Sequence, residues 1–177
     1  MTLATWLTLL RLALVPAFIM AFLAPTADQR FYAAGTLALA GLTDVLDGHL
    51  ARIRREESLI GRLLDPLADK FVVMAGVGLL AWTGRLRLWI AWVLLIKEAL
   101  LIGGAFVFFL LRREMLPATW LGKTAAILFY MGLFVSILAP AASRLGESLI
   151  LAGLVFSVAA GLSYTRRAVR TAKGAEP

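Results

Sequence analysis

The sequence predicts an all-α integral membrane protein with six transmembrane helices. Three observations carry that prediction. Hydrophobic residues make up 61% of the 177-residue chain, and mean hydropathy is +0.86, whereas a soluble domain is nearer half apolar. The apolar residues are gathered into long runs rather than spread evenly. Six of these runs approach the length a hydrocarbon core demands, about 20 mostly apolar residues per helix.

The first run, 7–23, holds Arg11 and lacks a small-residue cleavage site, so it reads as a retained helix and not a signal peptide. The second, 31–50, follows the turn-rich stretch 24–30 (APTADQR). The third, 59–82, follows the charged stretch 51–58 (ARIRREES) and stops at Thr83-Gly84. The fourth, 88–111, lies between TGRLR and RREMLP. The fifth, 118–138, starts after Pro117 and stops before Ala139-Pro140. The sixth, 148–164, runs into a basic tail, 165–177, that is expected to fray. No repeat or low-complexity tract divides the chain, so residues 1–177 read as one membrane-embedded catalytic domain.

Six spans place both termini on one side. That side carries Arg52, Arg54, Arg55, Arg112, Arg113, Arg166, Arg167, Arg170 and Lys173, against Arg30, Arg85, Arg87 and Arg144 on the other. The positive-inside rule then puts both termini and the 51–58 loop in the cytoplasm, in a multi-pass cell-membrane protein. The net charge of +7 reads as topology plus attraction to anionic lipid or substrate, not nucleic-acid binding. There are no cysteines and only one histidine, His49. Disulfides and thiolate sites are excluded, and a His-based zinc site does not fit.

Against this background, residues 44–69 stand out: DVLDGHLARIRREESLIGRLLDPLAD. Four aspartates in apolar sequence need compensation, and a bound cation supplies it. Asp44 and Asp47 are three apart; Asp65 and Asp69 are four apart. Either spacing puts a pair on one helix face. The intervening turn brings the pairs together as a carboxylate quartet expected just under the cytoplasmic interface. Such a site suits two Mg2+ or Mn2+ ions about 3.5–4 Å apart and a displacement at phosphorus. Gly48, Gly61 and small Ala51 leave room for a ligand or for close helix packing. Arg52 offers a phosphate-matching fork, and Ser58 a hydroxyl. A single aspartate would equally fit an ion pair with Arg62 or Lys70; eight positions at fixed spacing are harder to explain that way.

These residues resemble the signature of the CDP-alcohol phosphatidyltransferase family, D-x2-D-G-x2-A-R-x8-G-x3-D-x3-D. Every defined position matches: Asp44, Asp47, Gly48, Ala51, Arg52, Gly61, Asp65 and Asp69. The resemblance implies a six-helix membrane enzyme, usually a homodimer, that moves a phosphatidyl group from CDP-diacylglycerol to an alcohol and releases CMP. It further implies that Asp44, Asp47, Asp65 and Asp69 bind the metals and that Asp69 is also the general base. Asp47, Gly48, Ala51, Arg52, Ser58 and Gly61 would line the CDP-diacylglycerol site.

Looser similarities, at Leu7 to Arg11 with Pro16, at Leu64 to Lys70 and at Gly122-Lys123-Thr124, look like bacterial phosphatidylglycerophosphate synthases, implying glycerol 3-phosphate as acceptor. CMP-forming cardiolipin synthases share many of these, so phosphatidylglycerol stays open as acceptor, as do inositol phosphate and serine. Thr5 stands where Asn is expected, Lys97-Glu98 where Arg-Glu is common, and a second Lys before Thr124 is absent. A cation transporter is the remote alternative, but it would spread its acids across the bilayer and show paired repeats.

Lys123, Arg112 and Lys97 are the candidates for an acceptor phosphate. Lys123 is about 8 Å into the fifth helix, near the depth of Asp65. Lys97 is mid-span and needs a polar cavity or partner. At about 22 Å from Arg112 it is deep for a headgroup site, and adjacent Glu98 is expected to be a poor partner because neighbouring helical side chains diverge.

Overall fold

The computed structural model describes residues 3–54, 59–112 and 119–173. Among them there is no strand. Six helices follow one another: α1 (Leu3–Leu23), α2 (Gln29–Arg54), α3 (Leu59–Trp82), α4 (Leu88–Arg112), α5 (Trp120–Leu138) and α6 (Ser143–Lys173), with a short 3-10 turn, Pro140–Ala142, before the last. Short connections make consecutive helices antiparallel neighbours. The α3–α4 turn contains Gly84 at φ 69°, a left-handed conformation that glycine adopts without steric cost.

Two ends differ from the sequence expectation. Helix α2 runs on through Ala51, Arg52 and Arg54, positions expected in a loop. Helix α6 begins at Ser143 and continues to Lys173, so the tail expected to fray is helical that far. Charge was the loop signal in both places, yet arginine and lysine are good helix formers, and cations near a helix C-terminus are favoured by its dipole.

Two helical stretches, Trp120–Leu138 and Pro140–Ser163, are by length and composition apolar enough to cross a membrane among the described residues. The outer surface is apolar as well. Met20, Leu100, Val155 and Leu162 are exposed, and Trp82 and Trp120 are exposed at opposite ends of the bundle. That pattern fits a membrane-associated protein with interfacial tryptophans.

Packing is tightest between α5 and α6, followed by α1 against α2 and α3. A Cβ at Gly132 would come within 2.7 Å of Ile150 Cγ1 and 2.9 Å of the Gly146 carbonyl oxygen. Small residues of this kind let helix backbones approach where lipid gives no hydrophobic drive. Phe18, Leu37, Val72, Val77, Leu80, Leu94, Leu133 and Ile150 form the buried centre.

Candidate active site

The signature extends two buried rows. On α2, Ala33, Leu37 and Ala40 are almost fully buried. Steps of four and three carry that row on to Asp44, Asp47 and Ala51. On α3, Leu80, Gly76 and Val72–Val73 are buried. The same steps carry that row back to Asp69, Asp65 and Gly61. Each helix thus continues a small or apolar inward row into acidic positions. The side chains from Asp44 to Asp69 are not among those described, and Ser58 lies outside the described residues altogether.

The helix ends give the depths. Asp44 precedes the α2 end by about 15 Å, and Asp69 follows the α3 start by about 15 Å. Asp47 and Asp65 are each about 9–10 Å from the same ends. Counted along each helix, Asp44 and Asp69 are thus about equally far from these ends, as are Asp47 and Asp65.

Four carboxylates on adjoining helices are an oxygen donor set suited to a hard divalent cation. Among the residues with described side chains, no group of three or more His, Cys, Asp or Glu comes together. The signature aspartates lie outside those residues and are the donor set by sequence spacing.

A second polar feature borders the first. The Lys70 ammonium is 2.8 Å from Glu98 Oε2. Lys97 Nζ donates to Glu98 Oε1 and to Ser157 Oγ. One carboxylate thus serves two lysines, and the cluster joins α3, α4 and α6. Glu98 and Ser157 are buried. The expectation that Glu98 is a poor partner for Lys97 is overturned. Diverging neighbours still meet when a long lysine stem folds back onto a carboxylate already held from a third helix. The depth objection to Lys97 weakens too, because Glu98 ties it to Lys70, the residue after Asp69. Lys97 also lines a groove of ≈ 380 Å³ between α4 and α6, beside Ile96, Leu100, Ser157 and Gly161. Lys70 and Ser157 were not among the predicted site residues. The available signal was two lysines and one acid in mid-span, since intramembrane charges pair with one another.

The other acceptor candidates lie elsewhere. Lys123 is exposed, with Nζ 5.8 Å from the Trp120 ring centroid. Its position is set by the α5 N-cap, where Thr119 Oγ1 accepts from the Gly122 amide at 3.2 Å. Among the described residues it pairs with no carboxylate. Arg112 ends α4, and its side chain is not among those described.

Comparison with known proteins shows the family. The family profile described as CDP-alcohol phosphatidyltransferase matches residues 1–159. A "Cardiolipin synthase (CMP-forming)" of Streptomyces coelicolor is 38% identical over 71% of this chain and 60% of its own length, so the chain spans less than two thirds of that relative. A "Probable phosphatidylglycerophosphate synthase" of Mycobacterium tuberculosis is 32% identical over 97% of this chain and 84% of its own. A "CDP-diacylglycerol--glycerol-3-phosphate 3-phosphatidyltransferase" of Pectobacterium atrosepticum is 30% identical over 90% and 87%. With the complete signature carried on two adjoining helices, the chain belongs to the CDP-alcohol phosphatidyltransferase family and is an enzyme of that class, a family generally dependent on divalent metal.

Proposed function

We propose that this enzyme transfers the phosphatidyl group of CDP-diacylglycerol to glycerol 3-phosphate, giving phosphatidylglycerophosphate and CMP. The observation that supports the chemistry is the complete signature, whose aspartates fall at Asp44 and Asp47 on α2 and at Asp65 and Asp69 on α3. The choice of acceptor is supported by the Mycobacterium tuberculosis relative, whose match extends over nearly the whole chain.

Asp44, Asp47, Asp65 and Asp69 would hold two Mg2+ or Mn2+ ions, which would supply positive charge against the pyrophosphate and the departing CMP. Asp69 accepts the proton of the acceptor hydroxyl as its oxygen bonds to the phosphatidyl phosphorus. The bond from that phosphorus to the bridging oxygen breaks, and CMP leaves with the electron pair. Gly48, Ala51 and Gly61 give the CDP group close access to the helices, and Arg52 and Ser58 hold its phosphates. Lys123 and Arg112 supply positive charge for the acceptor phosphate, while Lys97, about 22 Å along α4 from Arg112, is held by Glu98 and Ser157. The enzyme acts as a homodimer with six spans in the cell membrane, with the site and both termini cytoplasmic.

The Streptomyces coelicolor relative favours a second reading, a CMP-forming cardiolipin synthase with phosphatidylglycerol as acceptor. Both readings share donor and metal chemistry. Purified protein incubated with CDP-diacylglycerol, Mg2+ or Mn2+ and one acceptor at a time separates them by CMP release. Release with glycerol 3-phosphate is expected. Release with phosphatidylglycerol alone selects the second reading, and no release with any acceptor overturns both.

A further inference from the structure

Lys70 follows Asp69 directly on α3, and Glu98 on α4 holds its ammonium at 2.8 Å. Successive helical residues diverge by about 100°, so fixing the direction of one fixes the rotation of the helix at the other. We propose that the Lys70–Glu98 pair is a positioning device that sets the rotation of α3 at Asp69. The inference rests on the reading of Asp69 as metal ligand and general base.

The geometry gives the pair leverage. A side-chain terminus about 5 Å from a helix axis moves about 1 Å when the helix turns by about 10°. A misplacement of about 1 Å can cost about 100-fold in rate. Apolar packing alone restrains such a turn weakly in lipid, which rewards burial little more than exposure. A charge pair in this setting is a stiffer restraint, because separating it strands a charge among apolar groups.

The cluster also anchors its own far side. Glu98 accepts from Lys97 and forms an ion pair with Lys70, and Lys97 donates to Ser157. The carboxylate is therefore held from α4 and α6 before it reaches α3. Were the pair only a tether for α4, it could sit at any height along α3. It sits instead at the residue beside the last signature aspartate, where the inward row changes from apolar to acidic.

Lys70→Met is the informative variant. It removes the hold on α3 while leaving Lys97 and Glu98 as a neutral pair. The expected result is a kcat reduced about tenfold or more, within the range typical for residues that orient metal ligands. KM for CDP-diacylglycerol and for the acceptor stays within about twofold, and the Mg2+ or Mn2+ concentration for half-maximal activity rises. Lys70→Arg, which keeps the charge and the reach to Glu98, is expected to restore kcat to within about threefold of the parent.

The proposal is overturned if Lys70→Met keeps kcat within about threefold. It is likewise overturned if Lys70→Arg is as slow as Lys70→Met, or if KM rises while kcat holds, which makes Lys70 a substrate ligand. If Lys70→Met does not purify folded, Lys70→Gln carries the same thresholds. Failure of the underlying reading has a different signature: no CMP release by the parent enzyme, or near-normal turnover by Asp69→Asn.

Discussion

Asp69 and Lys70 are consecutive residues with opposite electrostatic tasks. Lys70 faces a carboxylate on another helix, while Asp69 belongs by spacing to the row that continues into Val72, Gly76 and Leu80. On the proposed reading of Asp69 as the base, it accepts one proton during attack, and general-base catalysis contributes about 10²–10⁴-fold. Asp69→Asn keeps size and shape but can no longer take that proton. Its kcat is expected to fall by at least about 10²-fold, with CDP-diacylglycerol binding largely retained; a turnover assay paired with equilibrium binding of the donor checks both halves. The family signature was legible in the sequence because its spacing is local to two helices. The Lys70–Glu98–Lys97–Ser157 cluster was not, because it depends on how far α3, α4 and α6 are offset along their axes. Depth counted along α4 alone put Lys97 too far from the signature, whereas Glu98 closes that gap across the helices.

At the scale of elements, the helix count and most boundaries followed from apolar runs and from the turn residues between them. The misjudged ends, at Arg54 and Lys173, are where charge replaces apolar sequence without interrupting the helix. What the runs could not show is which helices press together, since that is decided by small residues in register. Two glycines make a controlled comparison. A Cβ at Gly132 meets backbone, the Gly146 carbonyl oxygen at 2.9 Å and the Ile150 amide nitrogen at 3.0 Å. A Cβ at Gly76 meets only the end of the Leu133 side chain, both methyls at 2.9 Å. Backbone cannot step aside without separating α5 from α6, whereas a leucine can change rotamer. Gly132→Ala is therefore expected to cost about 1–3 kcal/mol by overpacking, and Gly76→Ala distinctly less. Thermal unfolding of the two variants in the same detergent tests the order, and an equal loss would contradict the backbone clash.

At the scale of the whole molecule, the two ends of the bundle differ in what they gather. The signature end gathers the C-terminal part of α2, the start of α3, the end of α4 and the basic end of α6. The opposite end has short turns, Gly84, and an ion pair between Arg87 and Glu147 at 3.1 Å. The excess of arginine and lysine at the signature end predicts that it faces the cytoplasm. The chain has no cysteine, so single introduced thiols report orientation without background. Ala141 is exposed in the 3-10 turn at the far end, and Thr165 is exposed toward the basic end of α6. In intact spheroplasts a membrane-impermeant maleimide is expected to label Ala141→Cys and to spare Thr165→Cys, with both labelled after lysis. Labelling of Thr165→Cys from outside would invert the topology. It would also move the site, and the supply of its acceptor, to the other face of the membrane.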